Sequence, residues 1–405
     1  MAEHQRQPRK LLFREPLRNA LQPLTERVKR ALYGTPNFTI LAGDAGMELA
    51  QQVGEQLNKQ VPPNPTAFAN NELRVVVPKI VETRDVYIIQ AMNTHPNRTL
   101  RQLKLLGIGA KGRDANRIYN MFTHLPYARQ DRIDQPGAPR AAQQVVQEIF
   151  DATSHNPLKR RHESKLRAPG ALLVVDVHSE GPLQEVTKNS RGRYKWANVD
   201  SAFVLAPRVQ ELIASHQLDP VVAFPDKGAA HRYHNYVELF GNGQEPAVIK
   251  KERPVDQNNV VTIADSQEDL SGKVSGKDVL MFDDMIDTGG SILQAARLLK
   301  EQGARSVRVI ATHGIFSNDA LTKMSDPTID QVIVTNTIQP TQEVLQHPKI
   351  DVVSIAPLLA EVIKRIENKE SIADLVKQMS PGFEKSYRRL SKVNTYRRQT
   401  QRQTG

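Results

Sequence analysis

The residues with the clearest chemical potential lie in one segment, 283–291, which reads Asp-Asp-Met-Ile-Asp-Thr-Gly-Gly-Ser. An apolar run at 279–282 precedes it and apolar residues recur at helical spacing after it, which predicts a strand, a loop and a helix. Backbone N–H groups at a helix start bind phosphate, and glycines let a ligand approach the main chain closely. Carboxylates on the same loop can accept ribose hydroxyls or bind Mg²⁺. The spacing therefore favours a site for a phosphorylated sugar over an ordinary capped turn.

Other clusters of polar residues follow predicted strands, where α/β proteins bind their ligands. They lie at 124–132, which contains two arginines, at 176–180, at 224–228 and at 249–254. Singly, each cluster is more typical of strand-end capping or of a solvated loop. Together, cations for phosphates, His and Asp for Mg²⁺ and a sugar-phosphate loop indicate phosphoryl transfer.

A second glycine-rich segment, 107–112, matches the dinucleotide fingerprint G-x-G-x-x-G. That fingerprint must follow a strand and open a helix, whereas this segment follows a predicted helix and precedes a predicted strand. We therefore interpret it as a helix C-terminus and turn rather than as a nucleotide site. The chain contains no Walker A sequence.

The composition is that of a globular enzyme-sized protein. A chain of 405 residues is long enough for two or three domains. No apolar run approaches the length of a membrane span, and the first residues lack the apolar region of a secretory signal. The absence of cysteine excludes disulfides, thiolate catalysis and cysteine zinc sites, and it favours a cytoplasmic location.

The net charge of +11 is confined to the two ends of the chain. Residues 1–37 contribute +5 and residues 379–405 contribute +6, so residues 38–378 are formally neutral. The body of the protein is therefore not a basic platform for nucleic acid. The ends are expected to be flexible and solubilising, with weak, non-specific binding to polyanions as the alternative.

Apolar strands alternate with helical patterns along most of the chain, which predicts an α/β fold with mainly parallel sheets flanked by helices. The predicted strands are 38–42, 85–90, 117–122, 171–176, 220–224, 278–282, 307–311 and 331–334. The predicted helices are 47–57, a helix around 100–106, 141–150, 207–216, 291–302, 355–368 and 371–378. Polar segments at 155–170 and 185–198 are predicted to interrupt this pattern.

Several blocks of sequence resemble the ribose-phosphate pyrophosphokinases, also called phosphoribosyl pyrophosphate synthetases. The blocks are 126–132, 175–178, 225–228, 251–254, 283–290, 311–317 and 370–375, and they stand in the family's order within residues 38–378. The resemblance implies transfer of the β,γ-diphosphoryl group of ATP to O1 of ribose 5-phosphate. The products would be 5-phosphoribosyl 1-diphosphate and AMP, and the cofactor would be Mg²⁺.

The resemblance also implies roles for individual residues. Lys251 and Arg253 would be catalytic and would neutralise charge on the transferred diphosphate. The implied ATP-binding residues are Phe68, Asn70, Glu72, Arg129, Gln130 and Arg132, and the implied metal ligands are His178 and Asp226. Ribose 5-phosphate would bind to the aspartate pair, Asp283 and Asp284, and to the phosphate loop, Asp287, Thr288, Gly289, Gly290 and Ser291.

Family members pair two phosphoribosyltransferase-like domains and form homo-oligomers. By this resemblance we predict a basic extension at 1–37, an ATP-side domain at 38–200, a ribose-5-phosphate-side domain at 201–378 and a disordered basic tail at 379–405. The predicted assembly is a dimer-based homo-oligomer such as a hexamer. We predict no membrane partner, and nucleic acid would bind only weakly, through the ends.

The sequence departs from the family pattern at three places. The family's Phe-Ser-Asp-Gly-Glu reads Phe-Ala-Asn-Asn-Glu at 68–72, the segment after His178 is rebuilt, and Ala229 replaces a glycine. The rebuilt segment leaves open a larger acceptor such as ADP-ribose. A non-catalytic regulatory paralogue is another alternative, although such a protein would not need the catalytic and metal residues. A simple phosphoribosyltransferase would explain 283–291 but not the Arg-Gln-Asp-Arg block at 129–132.

Overall fold

The structure, a computed structural model, describes residues 37–63, 66–133, 135–154, 171–191, 193–241, 243–249, 270–372 and 375. The predictions for the basic ends (Asn37 apart), for 155–170, for Lys251 and Arg253, and for most of the predicted helix 371–378 lie outside these residues. No helix within the described ranges is both long and apolar enough to cross a bilayer.

The first half of the chain builds a five-stranded sheet in which each neighbouring pair is parallel, in the order β1-β4-β5-β6-β7. The strands are β1 Phe38–Ala42, β2 Thr66–Ala67, β3 Leu73–Arg74, β4 Asp85–Gln90, β5 Arg117–Phe122, β6 Ala171–Val175 and β7 Lys195–Val199. β2 and β3 form a separate antiparallel hairpin. Every residue of β1 and β4 is buried, as expected for parallel strands that are covered on both faces.

The second half builds a six-stranded parallel sheet in the order β13-β12-β11-β10-β8-β9. Its strands are β8 Pro220–Phe224, β9 Ala247–Val248, β10 Asp278–Ile286, β11 Ser306–Gly314, β12 Gln331–Thr335 and β13 Ile350–Val353. The predicted α/β class with mainly parallel sheets is thus confirmed.

The helices that flank the sheets follow the predicted alternation. They are α1 Met47–Leu57, α2 Pro96–Gly112, α3 Ala141–Thr153, α4 Gly181–Asn189, α5 Ala202–His216, α6 Lys227–Arg232, α7 His234–Phe240, α8 Ser271–Val274, α9 Gly290–Glu301, α10 Ala320–Met324, α11 Gln342–Gln346 and α12 Ala356–Glu367. The glycine-rich segment 107–112 lies inside the last turns of α2. Its interpretation as a helix C-terminus is therefore confirmed.

The prediction that 185–198 interrupts the pattern is wrong. This segment contains most of α4 and almost all of β7. Only a narrow side of α4, with Pro182, Leu183 and Val186, is buried, and β7 is the edge strand of its sheet with only Val199 fully buried. Because both elements expose most of their residues, their local sequence is polar and lacks the apolar periodicity from which helices and strands were predicted.

The hydrophobic core joins the two halves of the chain. α12, at the end of the second half, packs against α1 of the first half. Tyr87 on β4 donates a hydrogen bond of 2.7 Å to Glu367 in the last turn of α12. One continuous cluster of buried residues includes side chains from both sheets. A division of the chain at residues 200 and 201 therefore stays a prediction.

Candidate active site

The carboxyl ends of the two parallel sheets meet each other. Thr123, just after β5, donates a hydrogen bond of 2.6 Å to the carbonyl of Thr337, just after β12. His124 contacts His313 of β11 with 4.4 Å between ring centroids. Since ligands of parallel α/β sheets bind at the carboxyl ends of strands, this junction is where a substrate of either half would lie.

A buried polar contact fixes the end of β6 to the second sheet. Asp176 accepts hydrogen bonds of 2.5 Å from the hydroxyls of Ser201 and Thr312, which lie at the start of α5 and on β11. Burial, together with the nearby Asp200 carboxyl, raises the pKa of Asp176. Asp176 thus ties the segment that carries His178 to the other half of the molecule.

The aspartate pair lies within a strand rather than in a loop. The strand predicted to end at 282 continues as β10 to Ile286, and Asp283 still pairs with Ala311 of β11. The Asp284 side chain is only 4% exposed. It accepts a hydrogen bond of 2.6 Å from Nδ1 of His178 and contacts Nη2 of Arg232 at 3.1 Å. The structure therefore brings a predicted metal ligand from the first half to a predicted ribose-binding residue of the second.

The two carboxyls of the pair differ in proton affinity. Burial and the adjacent Asp284 carboxylate raise the pKa of Asp283 well above its ordinary value. Burial alone would also raise the pKa of Asp284, but the hydrogen bond from His178 and the Arg232 charge outweigh it and hold that pKa well below its usual range. Asp284 therefore holds a negative charge at the junction of the two sheets.

His178 and Asp226, the predicted metal ligands, suit a Mg²⁺ ion whose other ligands are water and substrate phosphates. Because the Asp284 carboxylate accepts a hydrogen bond from Nδ1 of His178, the other ring nitrogen, Nε2, is the one that would bind a metal, as in many metal-bound histidines. Asp226 caps α6 by accepting a hydrogen bond of 2.9 Å from the Ala229 amide. No group of three metal-binding side chains converges within the described ranges. Mg²⁺ commonly takes one or two protein ligands and completes its shell with water and phosphates, so this partial set suits it.

The phosphate loop contains an open position at Gly290. Gly289 caps the start of α9 in the left-handed region, with φ of 72°, and Gly290 and Ser291 are the first residues of that helix. A Cβ atom placed on Gly290 would meet no atom within 4 Å. The space beside Gly290 is therefore open, at a helix start whose first N–H groups have no partner within the helix.

Two cations contact the phosphate loop. Arg129, a predicted ATP-binding residue of the first half, lies 2.5 Å from the Asp287 carboxylate. Lys323 of α10 donates a hydrogen bond of 3.0 Å to the carbonyl of Thr288. Lys323 was missed by the sequence analysis because nothing in its local sequence distinguishes it from a solvated lysine.

The remaining predicted ATP-binding residues lie in two exposed turns. Phe68 is 52% exposed at the β2–β3 hairpin, with the Arg74 guanidinium 5.9 Å from its ring centre. Asn70 accepts a hydrogen bond of 3.2 Å from the Glu72 amide in the same hairpin. Gln130 and Arg132 are exposed in the turn after β5, beside Arg129. The structure thus presents an exposed aromatic ring and a separate cluster of polar groups, and their joint role in binding ATP stays a prediction.

Arg232 is the second functional candidate that the sequence analysis missed. It ends α6, the helix that Asp226 caps, and its guanidinium contacts both members of the aspartate pair. Its local sequence carries no signal of this role, because the contact with Asp284 joins residues 52 positions apart in the chain.

Comparisons with known proteins agree over most of the chain. The family described as the N-terminal domain of ribose phosphate pyrophosphokinase matches residues 38–152, and the phosphoribosyl synthetase-associated domain matches residues 232–377. The ribose-phosphate pyrophosphokinases of Haemophilus ducreyi and Vibrio parahaemolyticus are 30% and 32% identical, each over 84% of this chain and 98% of the relative. The crystal structure of phosphoribosylpyrophosphate synthetase from Mycobacterium smegmatis is similar with a TM-score of 0.66 and 28% identity, over 82% of this chain and 98% of that one.

Proposed function

This chain belongs to the ribose-phosphate pyrophosphokinase family and is an enzyme of that type, and we propose that the junction between its two sheets is the active site. The reaction transfers the diphosphoryl group of ATP to O1 of ribose 5-phosphate and releases 5-phosphoribosyl 1-diphosphate and AMP. The observation that carries the proposal is the 2.6 Å contact between His178 and Asp284. It joins the residue proposed to face the metal and ATP to the strand proposed to face the acceptor.

The acceptor site is proposed to comprise the phosphate loop and the aspartate pair. The N–H groups at the start of α9 would bind the 5-phosphate, and Gly290 leaves room for that approach. The carboxyl oxygens of Asp283 and Asp284 lie at the end of β10, next to the phosphate loop, and are suited to accept the hydrogen bonds of vicinal ribose hydroxyls. This arrangement would hold O1 of the sugar toward the first half of the molecule.

The ATP side is proposed to use Phe68 for the base and the Arg129 turn for the phosphates. Phe68 offers an exposed aromatic face. Arg129 would exchange its contact with Asp287 for the phosphates of ATP, since guanidinium groups bind phosphate oxygens in the same way as carboxylates. The finer assignments of Asn70, Glu72, Gln130 and Arg132 rest on the family resemblance.

Mg²⁺ is proposed to bind at Nε2 of His178 and at Asp226, where it would neutralise phosphate charge and help to orient ATP. Lys251 and Arg253, outside the described residues, are proposed to stabilise the charge that develops on the transferred diphosphate. The enzyme is further proposed to act in the cytoplasm as a homo-oligomer.

A direct assay tests the function and its alternatives. Purified protein would be incubated with ATP and Mg²⁺ plus ribose 5-phosphate, ADP-ribose or no acceptor, and AMP release would be measured. We expect AMP only with ribose 5-phosphate, and we expect His178→Gln to abolish it. Release with ADP-ribose alone would overturn the proposed acceptor, and no release with either acceptor would favour a non-catalytic paralogue.

A further inference from the structure

Arg232 contacts the aspartate pair at the junction, although no sequence block identified it. Its side chain is 26% exposed, and Nη2 lies 3.1 Å from Oδ1 of Asp284 and 3.7 Å from Oδ1 of Asp283. One guanidinium therefore spans two adjacent carboxyls that project from a single strand. Two carboxyls this close repel each other unless a cation lies between them.

Gly228 lies close to the side chains of both Asp226 and Arg232. A Cβ atom on Gly228 would lie 3.1 Å from Oδ1 of Asp226 and 3.2 Å from Nη1 of Arg232. Both contacts are tighter than an ordinary van der Waals approach. The carboxylate at the start of α6 and the guanidinium at its end therefore both lie against the same glycine.

Asp284 links Arg232 to His178 through its two carboxylate oxygens. Its Oδ1 contacts Arg232 and its Oδ2 accepts the Nδ1 proton of His178 at 2.6 Å. A carboxylate that is held through one oxygen cannot rotate freely to leave the other contact. The ring of His178 is therefore fixed through Asp284 by a residue that does not itself touch it.

We propose that Arg232 is a positioning residue that sets the aspartate pair for the ribose hydroxyls and, through Asp284, orients Nε2 of His178 toward the metal site. This inference rests on the proposed function of the junction. Lysine would not replace arginine here, because a single ammonium is a point charge whereas the planar guanidinium offers several donors in a fixed fork. The same residue thereby couples the acceptor side to the ATP side.

A matched control lies on the same strand. Arg305 pairs with Asp278, the first residue of β10, and Asp278 is as deeply buried as Asp284. Arg305→Met and Arg232→Met therefore remove the same charge from a buried aspartate at opposite ends of one strand. Only the second change lies at the junction.

The test uses protein with ¹⁵N-labelled histidine and no ligand, in which His178 is assigned by comparison with His178→Gln. We expect wild type and Arg305→Met to show the His178 proton on Nδ1, and Arg232→Met to show a mixture of tautomers. Calorimetric titration with ribose 5-phosphate should show an affinity loss of about tenfold or more for Arg232→Met, which corresponds to about 1.4 kcal/mol. Arg232→Lys should fall between the two, and Arg305→Met should bind as wild type does.

Wild-type tautomer and affinity in folded Arg232→Met would overturn the inference, and so would equal effects of Arg305→Met. If Arg232→Met does not fold, Arg232→Lys carries the same two measurements, and wild-type behaviour in it is the contrary result. Failure of the wild type to bind ribose 5-phosphate would instead count against the proposed function. The tautomer comparison needs no substrate and would still decide the role of Arg232.

Discussion

At the scale of single residues, the aspartate pair shows how one strand can supply two different carboxyl groups. Arg232 contacts both carboxyls, but only Asp284 is also hydrogen-bonded to His178. Asp284 faces His178 and Arg232, whereas burial beside a carboxylate raises the pKa of Asp283. Adjacent carboxyls whose environments separate their pKa values are a common basis for dividing roles within an active site.

Gly290→Val should abolish binding of ribose 5-phosphate while the fold survives. The added Cβ meets no protein atom within 4 Å, so the helix tolerates it, but the branched side chain occupies the space through which a phosphate would approach the N–H groups. Calorimetric titration and the thermal midpoint would be measured together. Gly112→Val is the control, because a Cβ there is equally unobstructed and Gly112 belongs to the glycine-rich segment inside α2. Unchanged affinity in folded Gly290→Val would remove the phosphate loop from the site.

Lys251→Ala and Arg253→Ala should each lower kcat by about a hundredfold or more, the usual cost of losing one transition-state donor. The affinity for ATP should change far less, since their charge would matter mainly in the transition state. Steady-state kinetics and ATP binding would be measured for both variants, with Lys250→Ala as the neighbouring control. If Lys250 proves the critical residue, the catalytic register is shifted by one, and if all three changes are mild, these residues form a solvated cluster.

At the scale of elements, the bounds of strands that lie between clear turn or polar residues were predicted correctly. β1, β4, β5 and β8 are short, mostly apolar runs between polar or turn residues, a pattern that predicts buried strands. β10 is longer than predicted because its ladder with β11 continues through the aspartate pair, and polar residues inside a strand look like its end. The contact between Arg232 and Asp284 joins residues distant in the chain, so no local pattern could reveal it.

Asp278→Asn should destabilise the protein by about 2 kcal/mol near neutral pH, since the pKa of Asp278 is lowered to about 2 and each unit corresponds to about 1.4 kcal/mol. Burial alone would raise this pKa, but the hydrogen bonds from Arg305 and Ser306 outweigh it. A depressed carboxyl pKa stabilises the fold above the unfolded value of 3.8 and loses that effect as pH falls through about 2.

The difference in urea stability between wild type and Asp278→Asn should therefore be full at about pH 7 and should shrink below about pH 4. Asp219→Asn is the control, because its carboxylate is half exposed in a surface pair with Lys277 and such pairs contribute little. A difference that stays constant down to about pH 3 would show that lost packing, not the charge, causes the destabilisation.

At the scale of the whole molecule, the described residues form one body with the candidate site at the junction of two sheets, whereas the excess charge lies in the ends.

Removal of residues 1–30 and 382–405 should leave AMP production nearly intact, because residues 38–378 are formally neutral and contain every proposed site residue. Any salt-sensitive binding to nucleic acid should fall in the same variant, since it depends on the number of cations that contact phosphates. AMP release and binding to DNA at two salt concentrations would be measured, and a folded truncation without turnover would place part of the site in the ends.

The packing of α12 against α1 also bears on how the protein is made. A ribosome completes β1, β4 and α1 long before it reaches α12 at residues 356–367. The apolar face that Leu359 and Ile363 cover therefore stays uncovered until almost the whole chain has been synthesised. A nascent first half is therefore exposed to aggregation during synthesis, and folding of the two halves is expected to be cooperative rather than sequential. A premature stop before residue 356 would release a chain with an uncovered core, not a stable half-enzyme.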